Sequence, residues 1–327
     1  MPIGIRLDGC IPCFGRLLLF VMIVYHYTSV EVLEKMLKIY SADNPYLQLR
    51  PSHCLFLNDI YENINSLYII PHFISDLEDE LQVEKEYRVD RFFHNKETFN
   101  MLLADRTSFN PKYVSYLENF ILSFSKVQDN LPMWTTYAQR GEGICLGFET
   151  DLLNQKLPKW NVMMKDCQYY DFKEFKNINY KEEEIYKDCK TFYEASINPK
   201  VLATRYKIAE TEKGEELTQE EKYRIRTSSI IRHLNSFGSF FVKEKSWAYE
   251  KEYRILLPGD KKDIRYYRRG DHYVPYVYVK VPIMALKEII VGPRSPRYTD
   301  AFIESLLIDK NISLDVIRIE KSFCPLK

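Results

Sequence analysis

A single α+β domain on a mainly antiparallel central sheet, with helices inserted between its strands, is the fold that this sequence predicts. Three observations carry the prediction. Segments of period two stand near both ends of the chain, at 22–28 and again between 248 and 320. Segments of helical period fill the interval between them, and no glycine-rich strand–turn–helix signature of a doubly wound parallel sheet is present. No internal repeat or low-complexity linker divides the chain, so residues 22–327 read as one domain. Residues 1–21 read as an N-terminal extension, because Met22 is an alternative start that leaves the first strand almost whole.

The first strand is IVYHYT, with Val24, His26 and Thr28 on one face and Ile23, Tyr25 and Tyr27 on the other. Thr28 and Glu31 then fit a capping box ahead of Val30, Leu33, Met36 and Leu37 at helical spacing. His26 therefore stands at the carboxyl end of a strand beside a helix start, where exposed N–H groups favour anions. A strand-like stretch from Leu47 to Leu57 leads to a polar turn with Asn58, Asp59 and Glu62, and 62–122 reads mostly as helix. FILSFS is a strand, KVQDN a loop, TTYAQ a helical turn and ICLGFE a strand opened by the turn GEG. The charged, tyrosine-rich section from about 150 to 240 reads as an insertion of surface helices. Period two returns in AYEKEYRILL and YYRRGDHYVPYVYVKV, followed by the strand LKEIIV, the helix TDAFIESLLI and the strand SLDVIRIE.

Composition excludes several functions. Lysine plus arginine equals aspartate plus glutamate at 46 each, so no global field holds a polyanion and any nucleic-acid surface must be local. Tyrosine occurs 25 times against 11 glycines, which suits an aromatic pocket better than a glycine-rich phosphate loop. The seven cysteines are scattered and odd in number, a pattern of reduced thiols that points to the cytoplasm. Cys10 and Cys13 form one C-x-x-C with no second pair at zinc spacing, so no metal is expected. The apolar run from Leu17 to Tyr25 is too short to span a bilayer.

HYTS, FLND with Glu62, SFS at 123–125, LPMWTTYA with GICLGFE, KSWAYEKEYRILL and KEIIVGP together resemble the bacterial family known as domain of unknown function 2971. The resemblance runs from about residue 24 to 322 and leaves the charged middle unmatched. Many members carry lysine or arginine near the position of His26, and many have proline where this chain has Ile60. The layout looks like the ADP-ribosyltransferase superfamily, which implies a split central sheet and NAD as substrate, with no metal. On that likeness His26, Tyr27 and Thr28 contact NAD, with His26 donating to a ribose hydroxyl, and Tyr137 with Trp134 stacks on nicotinamide. The catalytic carboxylate is one of the E-x-E pair, Glu252 ahead of Glu250. Such chemistry needs a carboxylate to stabilise an oxocarbenium-like centre and an aromatic face for cationic nicotinamide.

The implied function is transfer of ADP-ribose to a protein or nucleic acid, or hydrolysis of NAD, as in a toxin or phage-defence effector. A non-catalytic nucleotide or nucleic-acid binding module is the alternative, and a scaffold within a defence system is a third. For the second, Lys261, Lys262, Arg265, Arg268 and Arg269 surround Tyr266 and Tyr267, a mixture suited to single strands. Bland readings stand beside each of these: a satisfied histidine at a strand end, a Trp134–Tyr137 pair in the core, a Glu250–Glu252–Arg254 salt-bridge ladder, and a solvated hairpin.

Overall fold

The computed structural model of the chain describes residues 22–57, 68–94, 119–154, 157 and 162–326. The 1–21 extension, the Cys10–Cys13 pair, and the turn of Asn58, Asp59 and Glu62 lie outside the described residues. A ten-stranded, mostly antiparallel sheet forms the centre, as the alternating segments predict. Its strands are β1 (Ile23–Thr28), β3 (Ser52–His53), β4 (Asn119–Ser125), β5 (Ile144–Glu149), β6 (Met163–Asp166), β9 (Glu252–Pro258), β10 (Arg265–Arg269), β11 (His272–Tyr276), β13 (Leu286–Val291) and β14 (Arg318–Lys321). Among these described strands only β13 and β14 pair in parallel. Two small sheets flank it, β2 (Tyr46–Leu49) with β12 (Val279–Pro282), and β7 (Gln168–Tyr170) with β8 (Val242–Glu244).

The pairing of β4 determines where a site can form. Along one edge it is matched by β9 from Asn119↔Pro258 to Ser125↔Glu252. The other edge is shared: β3 pairs at Phe120 and Ile121, and β1 only at Ser125. Between those contacts, at residues 122–124, the two strands diverge and the sheet opens. The backbone carbonyls facing that opening need partners, since a buried unpaired carbonyl costs on the order of 1–3 kcal/mol.

Alternation along β4 and β9 builds a core on each face. Leu122, Phe124, Tyr253, Ile255 and Leu257 point into one core, with Leu33 and Met36 of α1 (Val30–Met36) and Ile303 and Leu307 of α9 (Thr299–Asp309). Ile121 and Leu256 point into the other, against α2 (Ile74–Glu80), α3 (Asp90–His94), α6 (Glu184–Ile197) and α8 (Gln219–Phe240). A smaller third core sets Tyr25, Tyr27 and Cys145 against α4 (Leu131–Tyr137). Among the described residues the remaining α-helices are α5 (Thr150–Asn154) and α7 (Pro199–Lys213).

Four expectations are corrected. Ser29, not Thr28, caps α1, its side chain accepting from Val32 N at 3.3 Å, because Thr28 is still held in β1 opposite Ile144. The helical reading to residue 122 overlaps the strand reading of FILSFS, and the strand prevails there, since β4 already runs from Asn119 and takes partners from β9. The 150–240 section is not solely surface helix: β6 joins the main sheet beside β9, β7 pairs with β8, and Ile185, Tyr186, Cys189, Tyr193, Ile230 and Leu234 supply the second core. Finally, the late strand begins at Glu252, since residues 245–250 form 3-10 turns and Lys251 takes a left-handed φ of 42°.

Candidate functional site

A cavity of about 220 Å³ lies at the opening in the sheet. It brings together His26 and Tyr27 from β1, Tyr137 from α4, Glu250 from the 3-10 turn before β9 with Glu252 from its first position, and Arg269 from β10. These are residues the sequence singled out from four distant segments. A second cavity of about 310 Å³ adjoins the same strands, and His26, Arg50, Ser52 and Leu122 line both. His26 thus stands on the wall common to the two.

Its imidazole completes the broken edge of β4. Nδ1 lies 3.2 Å from the carbonyl oxygen of Ser123, and the ring meets Phe124 edge-on at 5.8 Å. A carbonyl only accepts, so Nδ1 carries the proton. Burial lowers the pKa of His26 and outweighs the opposing effect of the Ser123 bond, which leaves the ring neutral at pH 7 with Nε2 as an acceptor. The expected donation to a ribose hydroxyl is therefore reversed: a hydroxyl would donate to His26.

The carboxylates are held unequally. Glu252 accepts from Arg254 Nε and Nη2, each at 2.8 Å, and from Lys243 Nζ at 3.1 Å. Burial alone would raise its pKa, but Arg254 and Lys243 prevail and hold it down to about 2. Glu250 accepts from Lys243 and, on its other oxygen, from the Tyr137 hydroxyl. Here burial dominates and, with Glu252 nearby, raises the pKa in spite of Lys243. Glu252 is thus clamped as an anion, whereas burial shifts Glu250 toward its protonated form. The two carboxylates differ because Arg254 Nε and Nη2 both take Glu252, two residues away on the same strand face.

Serines of SFS place the pair. Ser125 Oγ donates to the carbonyl of Glu250 at 2.6 Å and accepts from Val127 N at 3.0 Å. The left-handed turn at Lys251, whose carbonyl accepts from Lys126 N at 2.9 Å, swings Glu250 out of the strand while keeping it beside Glu252.

Two expected contacts with NAD move elsewhere. Trp134 is 0% exposed and belongs to the core, its Nε1 donating to Asp129 at 2.6 Å and its ring edge-on to Tyr27 at 5.1 Å. Met133, one residue earlier and one helical turn from Tyr137, lines the cavity in its place. Thr28 is buried and lines neither cavity: it shares the His26 face of β1 but lies at the strand's last position, paired with Ile144 of β5. Tyr27 remains on the wall, its hydroxyl donating to the Val127 carbonyl at 2.9 Å and accepting from Asn130 N at 3.0 Å.

The residues that sequence reasoning missed are mostly cationic or aromatic. Lys243 is 3% exposed, contacts both glutamates, and packs against Trp247 with Nζ 5.0 Å from the ring centroid. Arg50 and Phe56 complete the wall. The available signal for Lys243 was charge balance, since two neighbouring buried carboxylates require more than one cation. Of the arginine trio, strand alternation puts Arg265 and Arg269 on one face of β10 and Arg268 on the other, so the three do not act as one cluster. Among the described residues no group of three or more His, Cys, Asp or Glu side chains is arranged to hold a metal ion, and no helix is long and apolar enough to cross a membrane.

Fold and site together define an α+β protein with an aromatic, charge-lined pocket at a break in its sheet. Residues 133–255 match the family model described as protein of unknown function (DUF2971), a stretch that holds Tyr137, Lys243, Glu250, Glu252 and Arg254. No curated protein and no solved structure matches the chain.

Proposed function

We propose that the pocket binds NAD and that the protein cleaves the nicotinamide–ribose bond, passing ADP-ribose to a macromolecule or to water. The observation that carries this reading is the convergence of His26, Tyr137 and the Glu250–Glu252 pair on one cavity. Tyr137 and Met133 offer a face for the nicotinamide ring, and His26 Nε2 offers an acceptor for a ribose hydroxyl. Arg50 and Arg269 on the lining suit the pyrophosphate charge.

In the reaction the C1′–N bond breaks and its electron pair leaves on nicotinamide. A C1′–O bond forms when the acceptor is water or a hydroxyl. Glu250 stabilises the developing positive charge and takes the acceptor's proton, a role that its raised pKa favours. Glu252, held by Arg254, acts as a positioning residue through Lys243. Such an activity would suit a toxin or phage-defence effector in the cytoplasm, where NAD is plentiful and buried thiols such as Cys145 and Cys189 stay reduced.

One observation favours the binding-only alternative: Lys243 contacts both carboxylates and reduces the negative charge that either can offer. Release of nicotinamide from NAD separates the two readings. Glu250→Gln is expected to slow release roughly a hundredfold or more while leaving NAD affinity within a few-fold, the pattern of an interaction made mainly in the transition state. A folded Glu250→Gln variant that turns over NAD at the parent rate would refute the mechanism, and parent protein that binds NAD without releasing nicotinamide would establish the binding module.

A further inference from the structure

The hairpin β10–β11 ends one side of the sheet, and its two faces differ in what they join. Arg265 stands opposite Tyr276, Tyr267 opposite Val274 and Arg269 opposite His272, so these side chains share one face. Tyr266 and Arg268 share the other with Pro275 and Tyr273. On the first face the aromatic rings form a series. Tyr267 lies 5.8 Å from Tyr276, and Tyr276 lies 5.1 Å from Tyr278. Arg50, from the far end of the sequence, packs its guanidinium over Tyr276 at 5.4 Å and Tyr278 at 5.6 Å.

That series leads to the site. Arg269 lines the first cavity, Tyr267 lines the second, and Arg50 lines both. Tyr278 is 41% exposed, whereas Tyr276 is buried beneath it at 7%. Arg265 is exposed, and its Nη1 donates to the carbonyls of Lys262 and Ile264, each at 3.0 Å; carbonyls orient a guanidinium without neutralising it.

We propose that this face docks single-stranded nucleic acid and leads it to the cavity mouth as the macromolecular acceptor. The exposed ring of Tyr278, with the half-buried Tyr267 beside the cavity, can stack on unpaired bases of any sequence, and the exposed Arg50 and Arg265 next to them meet the phosphates. Paired bases in a duplex are closed to such stacking, and an acidic protein would find the arginines but have no use for the rings. The acceptor role rests on the NAD-cleaving reading; the docking does not.

Fluorescence anisotropy with a labelled single strand of about 12 nucleotides, and with the matching duplex, tests the proposal on the full chain. The parent is expected to bind the single strand more tightly than the duplex, with affinity falling as salt rises. Arg265→Gln should reduce the slope of log affinity against log salt by roughly 0.7, the counterion release of one phosphate contact. Tyr278→Ala should weaken binding roughly tenfold through lost stacking. Arg268→Gln, on the opposite face, should change affinity by less than about twofold. Absence of single-strand binding at low salt, equal affinity for the duplex, or a loss in Arg268→Gln matching that of Arg265→Gln would overturn the proposal. Neither Arg265 nor Tyr278 lines either of the two cavities, so calorimetry of NAD on the same proteins reports on the pocket separately. A parent that binds the oligonucleotide but not NAD would retain the docking surface and remove the proposed reaction.

Discussion

Replacing Glu252 with glutamine tests whether this carboxylate is a structural anion or a catalytic one. The substitution preserves shape but removes the carboxylate that Arg254 and Lys243, which are 1% and 3% exposed, both contact. A carboxyl group drawn from its ordinary 4.5 down to about 2 favours its ionised form in the fold by about 3 kcal/mol. Breaking a buried ion pair by removing one partner costs roughly 3–5 kcal/mol, so the two routes agree. With a urea dependence of about 3 kcal/mol per molar for a chain of this size, the denaturation midpoint at pH 7 should fall by about 1 M.

The dependence on pH adds a second check. Because the folded pKa is depressed, the stabilisation is full above 4.5 and is lost as pH falls through about 2. The gap between parent and Glu252→Gln should therefore be constant above pH 5 and shrink to about 1 kcal/mol by pH 3. Equilibrium unfolding followed by tryptophan fluorescence at both pH values gives the measurement, since Trp247 packs on Lys243. An unchanged midpoint at pH 7, or a gap as wide at pH 3 as at pH 7, would refute the clamp. A stable Glu252→Gln variant with greatly reduced turnover would return the catalytic role to Glu252.

Two further predictions concern the opening in the sheet and its neighbour. His26 has its pKa lowered by burial, so its contribution is full above the ordinary 6.5 and declines as pH falls below it. His26→Gln should remove that decline between pH 7 and 5 in thermal melts, and an identical pH profile in parent and variant would show the ring to be solvated. Gly143→Ala would set a Cβ 2.2 Å from the carbonyl oxygen of Thr28 and 3.1 Å from the backbone of Ala138. Backbone on both sides leaves nothing to give, so a loss of about 1–3 kcal/mol is expected, and a variant as stable as the parent would show that β1 and β5 can separate there.

Local pattern was enough to place much of this architecture in the sequence. Period two in IVYHYT, ICLGFE and EYRILL identified β1, β5 and β9, and it assigned Val24 and Tyr25 to opposite cores as observed. The position of His26 at a strand end and the family resemblance singled out His26, Tyr137, Glu250 and Glu252, all of which line one cavity. The same evidence misplaced Trp134, because a helical spacing of three groups it with Tyr137 without saying which lies above the core.

What tertiary structure alone decided is the pairing of β4. Periodicity reports the face that a side chain takes within its own strand, but it carries no information on which distant strand lies alongside. Because β3 and β1 share one edge of β4, a gap arises at residues 122–124, His26 caps the Ser123 carbonyl there, and the cavity exists. The burial of Lys243 between two glutamates depends on β8 packing near the start of β9, and the pairing of Arg50 with Tyr276 and Tyr278 depends on contacts across more than half the chain. Charge told that such groups needed partners; only long-range packing, which balances desolvation against the attraction of opposite charges, determined which partners they found.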